Sequence, residues 1–129
     1  MPRQVVIDAS VVVRLILDGS PASDAIVRRD ELIAPALLVA ETANALATQV
    51  RFAALKLEDA QQFLEEFFGL PIEFVPDEAL ASDALARARE LDLSAYDACY
   101  VALAERLGLP LATADAQLAK RYERSELIP

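Results

Sequence analysis

Short apolar runs alternate with longer amphipathic stretches along the chain. The short runs are typical of buried parallel strands, and they predict strands over residues 4–7, 32–34, 72–75, 111–113 and 127–128. The longer stretches predict helices over residues 11–17, 21–29, 35–51, 57–68, 76–90, 94–107 and 115–122. This alternation predicts an α/β fold, an α/β/α sandwich around a mostly parallel central sheet of four to five strands. No repeat, linker or change of composition interrupts the pattern, so we expect residues 1–129 to form one domain.

Residues with strong preferences for helix ends mark several boundaries. Ser10 is predicted to cap the first helix, and Pro35 is predicted to lie in the first turn of the third. Ser94 is predicted to begin the helix that Gly108 ends. These signals indicate which side chains lie close to the end of an element.

The composition removes several kinds of active site. The chain has no histidine and one cysteine, Cys99, so serine–histidine and cysteine–histidine catalysis and His-ligated zinc are excluded. Without a histidine to activate it, Cys99 is interpreted as a small buried apolar residue. The three glycines are isolated, which excludes a phosphate-binding glycine-rich loop. Acid, base and ligand chemistry is therefore left mostly to carboxylates, which prefer Mg²⁺ or Mn²⁺.

The net charge of −9 comes from 21 acidic and 12 basic residues. Taken alone, this charge favours a soluble acidic protein over a nucleic-acid-binding one, because phosphate binding normally needs a basic surface. A group of carboxylates that binds a divalent metal would contribute to the same excess. No secretion signal is recognised, and the longest apolar run, residues 32–40, is about half a membrane span. We therefore expect a cytoplasmic protein without a membrane segment.

Four acids lie near predicted element ends. Asp8 ends the first strand and Asp115 follows the fourth, while Glu41 and Asp97 lie in early turns of helices. Ligands of open α/β sheets bind outside the carboxyl ends of the strands, where these acids can converge. Carboxylates brought together repel one another unless a cation lies between them. The pattern therefore predicts a metal site.

Each of these acids also has a purely structural interpretation. Asp8 and Asp115 fit turn or helix-capping positions, and Asp97 fits the favourable charge at a helix amino end. Glu41 interrupts an apolar series but also fits a solvent-facing helix position, with Asn44 three residues on either orienting it or simply exposed. The sequence alone leaves these alternatives open.

The segments VVIDASVVVRL, LLVAETANAL and LSAYDACYVALAERLGLPLATAD, with the order Asp…Glu…Asp…Asp, resemble the PIN-domain family. More narrowly, they resemble the VapC-type toxins of bacterial and archaeal toxin–antitoxin pairs, from Val5 to about residue 128. The resemblance implies a PIN-like fold in which Asp8, Glu41, Asp97 and Asp115 bind Mg²⁺ or Mn²⁺. It implies that Ser10 and Thr113 are hydroxyl companions of the first and last acids.

The resemblance also implies partners. Members of this family form homodimers and bind a VapB-type antitoxin that plugs the active-site groove and itself binds DNA, so this chain is not expected to read DNA sequence. The chain departs from expectation in its few basic residues. The candidates for phosphate contact are Arg14, Arg28, Arg29, Arg51, Lys56, Lys120, Arg121 and Arg124.

The leading hypothesis is a metal-dependent endoribonuclease that hydrolyses RNA phosphodiester bonds with a metal-activated water. A second hypothesis is a catalytically silent module of the same fold that binds RNA or protein. A third is a phosphotransfer domain, but the haloacid-dehalogenase type needs an acid where Ser10 stands, and the acidic pair of receiver domains is not found. The sequence does not select a target RNA.

Overall fold

The computed structural model describes residues 2–129, whose strands form a five-stranded, fully parallel sheet. The strands are β1 (Gln4–Ile7), β2 (Glu31–Pro35), β3 (Ile72–Val75), β4 (Leu111–Thr113) and β5 (Ser125–Leu127), in the order β3-β2-β1-β4-β5. Strand β1 is central, and its apolar residues Val5, Val6 and Ile7 are fully buried. Because β2 and β4 flank β1 in parallel, the carboxyl ends of these three strands meet at one edge of the sheet.

Helices cover this sheet in the predicted α/β/α arrangement. They are α1 (Ala9–Asp18), α2 (Pro21–Arg29), α3 (Leu38–Arg51), α4 (Leu57–Phe68), α5 (Ala81–Leu91), α6 (Ala95–Leu107) and α7 (Ala116–Arg121). Helix α6 packs on β1, β2 and β4, and α5 packs on α6. Helix α1 contacts α2, α3 and α4. Within residues 2–129, no helix is long and apolar enough to cross a membrane.

Most predicted elements are confirmed, several to the residue. Strands β1, β3 and β4 and helices α2 and α4 have the predicted bounds. Ser94 caps α6, accepting a hydrogen bond from the Asp97 N–H at 3.1 Å. Gly108 ends that helix in the left-handed conformation, with φ of 65°, which glycine adopts without steric cost.

Two predicted helix starts are wrong. Helix α1 begins at Ala9, so Ser10 lies inside it and Asp8 is the cap. Pro35 belongs to β2, where it pairs with Val75, and α3 begins only at Leu38. The preference of proline for a first helical turn is overridden because the β2–β3 ladder continues through this position, with the Ala36 N–H donating to the Val75 carbonyl.

Two further boundaries differ. The helix predicted over 76–90 is divided into a 3₁₀ turn at Asp77–Ala79 and α5, with the fully buried Leu80 between them. The final strand is Ser125–Leu127 rather than residues 127–128. The parallel register with β4 sets the bounds of this strand. The Ile128 N–H donates to the Thr113 carbonyl just beyond it.

Candidate functional site

Asp8 stands between β1 and α1 and is only 6% exposed. Its Oδ1 atom caps α1 by accepting hydrogen bonds from the N–H groups of Ser10 (3.1 Å) and Val11 (3.4 Å). The Ser10 hydroxyl also donates to Oδ1, and the Thr113 hydroxyl donates to Oδ2, each at 2.5 Å. The capping role considered from the sequence is therefore present. Among the described residues, Asp8 Oδ1 accepts three hydrogen bonds and Oδ2 accepts one.

Ser10 and Thr113 connect Asp8 to the segment after β4. The Ser10 hydroxyl oxygen accepts from the Ala114 N–H at 2.8 Å, and the Thr113 hydroxyl oxygen accepts from the Asp115 N–H at 3.0 Å. Each hydroxyl carries one hydrogen, and that hydrogen is donated to Asp8. The 3.3 Å approach of the two hydroxyl oxygens is then a contact without a shared hydrogen. The two residues hold the Asp8 carboxylate in one orientation with an Oδ2 lone pair available.

Asp115 and Asp97 lie at helix amino ends, and the charge of Asp115 acts on both Asp8 and Asp97. Asp115 caps α7, its Oδ1 accepting from the N–H groups of Gln117 at 2.9 Å and Leu118 at 3.4 Å. Asp97 is in the first turn of α6, and its carboxylate accepts no hydrogen bond within residues 2–129. Burial and then the negative charge of Asp115 raise the pKa of Asp97. The two acids are thus near enough to repel each other.

Glu41 lies in the first turn of α3, half-buried, and is held from α6. The Tyr100 hydroxyl donates to Glu41 Oε1 at 2.5 Å, and Tyr100 itself is 1% exposed. Burial raises the pKa of Glu41, the hydrogen bond from Tyr100 opposes that shift, and the charges of Asp97 and Asp8 add to it. Asn44, which the sequence suggested as a companion of Glu41, is exposed and forms no side-chain hydrogen bond in the described part of the chain.

The four predicted acids therefore gather at one rim of the sheet without a compensating positive charge. Among residues 2–129, none of the four forms an ion pair with lysine or arginine. Burial is also the main cause that raises the pKa of Asp8, with the charge of Asp115 adding to it. A rim of uncompensated carboxylates fits a hard divalent cation, whose preferred ligands are oxygens.

The arrangement is open around any such ion. Across the described residues, no three acidic or cysteine side chains stand close enough together to hold a metal as they are placed. Asp8 is fixed by its hydrogen bonds, whereas Asp97 accepts none. Among the described residues, Asp97 is therefore the least restrained of the four carboxylates.

A groove of about 460 Å³ adjoins Glu41. We call it the Tyr96 groove; its lining residues are Ala9, Leu37, Ala40, Glu41, Asn44, Ala45 and Tyr96. Tyr96 is 68% exposed and directly precedes Asp97 in α6. The groove is thus lined by one of the four acids, Glu41, and by the residue that precedes a second, Asp97.

The residues that the sequence analysis missed all act through contacts between distant segments. Tyr100 contacts Glu41, and Asp77 accepts a hydrogen bond at 3.0 Å from the Leu37 N–H, just before α3. A signal for Tyr100 did exist. A tyrosine three residues after Asp97 in an apolar helix is expected to be buried, and a buried phenol needs a hydrogen-bond partner.

Three of the eight basic candidates are engaged in ion pairs. Arg28 pairs with Asp24, Arg29 with Asp30, and the Arg121 guanidinium lies 3.8 Å from Asp92. In the part of the chain that the structure describes, the other five form no ion pair: Arg14, Arg51, Lys56, Lys120 and Arg124. These five are the freer candidates for phosphate contact.

Comparison with known proteins agrees with the fold. A model of the PIN domain matches residues 5–124. Ribonuclease VapC3 of Mycobacterium tuberculosis is 35% identical over 130 residues, covering 98% of this chain and 93% of that protein. The crystal structure of PAE2754 from Pyrobaculum aerophilum has a TM-score of 0.79 at 27% identity, covering 98% of this chain and 91% of that one.

The structure of VapBC2 from Rickettsia felis, bound to a DNA fragment from their promoter, shares the fold. Its TM-score is 0.70 at 16% identity, and 96% of each chain is covered. This likeness concerns the fold alone, whereas the family match and the 35% identity span nearly the whole chain. The chain belongs to the PIN-domain family and, within it, to the VapC proteins.

Proposed function

We propose that the chain is a metal-dependent endoribonuclease, the toxin of a toxin–antitoxin pair. The observation that carries this proposal is the rim of four carboxylates, Asp8, Glu41, Asp97 and Asp115, without a compensating lysine or arginine among the described residues. The ribonuclease name of the relative with 35% identity supports the same activity.

Each acid has a distinct part in the proposed mechanism. Asp8 contributes Oδ2, held in place by Ser10 and Thr113, and with Asp97 and Asp115 it would hold Mg²⁺ or Mn²⁺. The bound cation would lower the pKa of an attacking water and stabilise charge that develops on the phosphate. Glu41, fixed through Oε1 by Tyr100, keeps Oε2 to orient that water or to complete the ligand set.

The experiment is incubation of the purified protein with total cellular RNA in Mg²⁺, in Mn²⁺ or in chelator, followed by sequencing of the new RNA ends. Discrete cuts that require the metal and are absent with Asp97→Asn support the proposal. Glu65→Gln, which removes an exposed acid on α4, is the matched control and should cut like the wild type. Wild-type cleavage by Asp97→Asn would contradict the assignment of the site.

A catalytically silent module is the second candidate, favoured by the open spacing of the acids in the described residues. If the wild-type protein bound RNA tightly but made no cuts in Mg²⁺ or Mn²⁺, that candidate would replace the nuclease. The same sequencing experiment with a parallel filter-binding assay separates the two.

The proposal also includes a VapB-type antitoxin, a homodimer and a single domain over residues 1–129. The partner is proposed to bind DNA because the solved VapBC2 pair is bound to promoter DNA. In this proposal the antitoxin binds DNA and this chain does not read DNA sequence. Co-purification with the product of a small neighbouring reading frame, and light scattering of the chain alone, test the partner and the dimer.

A further inference from the structure

Tyr96 is an exposed aromatic side chain at the edge of the candidate site. Its side chain is 68% exposed, whereas the seven residues from Ala98 to Ala104 of the same helix are all buried. The exposed residues of α6 therefore lie at its two ends, and Tyr96 lies in the first turn, which also carries Asp97. An exposed ring in this position contributes nothing to the core and is available to a ligand.

The Tyr96 groove is nearly uncharged. Among the described residues that line it, the only ionisable group other than the phenol is Glu41, and none is a lysine or arginine. A phosphate would meet a negative charge there and no compensating cation. A neutral planar group instead meets the Tyr96 ring and small apolar walls formed by residues such as Ala9, Ala40 and Ala45.

Asn44 adds a hydrogen-bonding group to the same groove. Its amide is exposed and makes no side-chain hydrogen bond within residues 2–129. An amide offers both a donor and an acceptor, the combination that recognises the edge of an adenine and, more generally, of an unpaired base. Ring, amide and volume together match a nucleobase better than any other part of an RNA chain.

We propose that Tyr96 stacks on the nucleobase next to the scissile phosphate and that Asn44 hydrogen-bonds to the edge of that base. This inference rests on the proposed function, because it places the base beside the same carboxylates. A base can lie on Tyr96 only when it is unpaired and turned out of a helical stack. The substrate class is therefore RNA that is single-stranded at the cleavage site.

The test uses an oligoribonucleotide that spans a mapped cut and carries 2-aminopurine beside the scissile position. If no cut is found, a mixed-sequence single strand that carries 2-aminopurine is used instead. Binding is measured in chelator, where no cleavage is expected, and cleavage is measured in Mg²⁺. Tyr96→Ala is expected to abolish the quenching of 2-aminopurine by stacking and to weaken binding about tenfold. Cleavage should lose about the same factor, mainly through KM.

Three controls make the result specific. Tyr96→Phe keeps the ring and should retain quenching and cleavage. Phe68→Ala removes another exposed aromatic side chain, 54% exposed and outside the groove, and should behave like the wild type. An abasic site at the stacked position removes the partner of both Tyr96 and Asn44, so it should cost the wild type at least the Tyr96→Ala loss and cost the variant less than it costs the wild type.

Several outcomes would overturn the inference. Unchanged quenching and KM with Tyr96→Ala would do so, as would equal cleavage of a fully paired duplex. Loss of binding to a co-expressed partner protein, with RNA binding unaffected, would make the groove a protein contact instead. Quenching that depends on Tyr96 without metal-dependent cleavage would retain the stacking contact but overturn the proposed function, and with it the place of the base beside a scissile phosphate.

Discussion

The hydrogen bond between Tyr100 and Glu41 joins the two helices that carry acids at the rim. Burial raises the pKa of the Tyr100 phenol, and the neighbouring carboxylates raise it further, so the hydroxyl stays protonated and donates. The donor orients Glu41 without neutralising it. Tyr100 is thus a positioning residue, comparable to the groups that orient metal ligands from behind.

Tyr100→Phe removes this donor while keeping the buried ring. We expect the cleavage rate to fall about tenfold, because groups that orient metal-site ligands typically contribute that much. In a Glu41→Gln background the same change should cause little further loss, which a purely structural role would not predict. Tyr122→Phe, at another buried tyrosine, is the control for stability. Equal, additive losses in both backgrounds would contradict the positioning role.

The four acids could be predicted from the sequence because each lies next to a local signal, the end of a strand or the start of a helix. The partners of these acids could not. Tyr100 and Glu41 are 59 positions apart, and Asp77 reaches Leu37 over 40 positions. Periodicity along one helix gives no information about which residue of another helix faces it.

At the scale of elements, helix α6 links stability to the site. Its cap, Ser94, binds the N–H of Asp97, so the residue that begins the helix also holds the backbone of a proposed ligand. Local signals of this kind, Ser94 and Gly108, predicted α6 correctly. Pro35 misled the prediction of α3 because pairing of β2 with β3, a contact between distant segments, overrode a local preference.

Ser94→Ala should lower the free energy of unfolding by about 1 kcal/mol, the usual effect of losing a cap. Ser20→Ala removes the corresponding cap of α2, where Ser20 accepts from the Ser23 N–H at 3.3 Å, and should have a similar effect on stability. Of the two variants, only Ser94→Ala should also reduce cleavage, because α6 carries an acid of the rim and α2 does not. Denaturant unfolding and RNA cleavage measure the two effects. Equal activity of the two variants would show that the cap does not influence the site.

At the scale of the whole molecule, alternating strands and helices predicted the fold class, but not the strand order β3-β2-β1-β4-β5. Strand order depends on which connections cross the sheet, and hydrophobic periodicity does not report that. The charge of −9 likewise argued against an RNA partner. The structure explains part of this excess by concentrating four acids where a cation is expected.

The raised pKa values of the same acids predict how the stability of the metal-free protein depends on pH. The pKa values of Asp8, Glu41 and Asp97 are raised in the folded state, so the folded protein holds protons that the unfolded chain releases. Their contribution to stability is present below the ordinary values, 3.8 for Asp and 4.5 for Glu, and is lost as pH rises above them.

In chelator, the melting temperature should therefore fall as pH rises above the ordinary values of 3.8 and 4.5, as these carboxylates ionise. Mg²⁺ should reverse the fall, because it binds only the folded arrangement. Asp97→Asn should reduce both the fall and its reversal, while Glu65→Gln should change neither. If the melting temperature of Asp97→Asn fell by the same amount, the general negative charge of the molecule would be the cause of the fall.

The most direct test of the carboxylate site is calorimetric titration of the protein with Mn²⁺. The wild type and Glu65→Gln should bind Mn²⁺ with the same affinity. Asp8→Asn and Asp97→Asn should each bind at least about tenfold more weakly, since loss of a ligand should exceed the loss of a group that only orients one. Equal affinity in all four proteins, or no binding by the wild type, would contradict a metal site at the rim of Asp8, Glu41, Asp97 and Asp115.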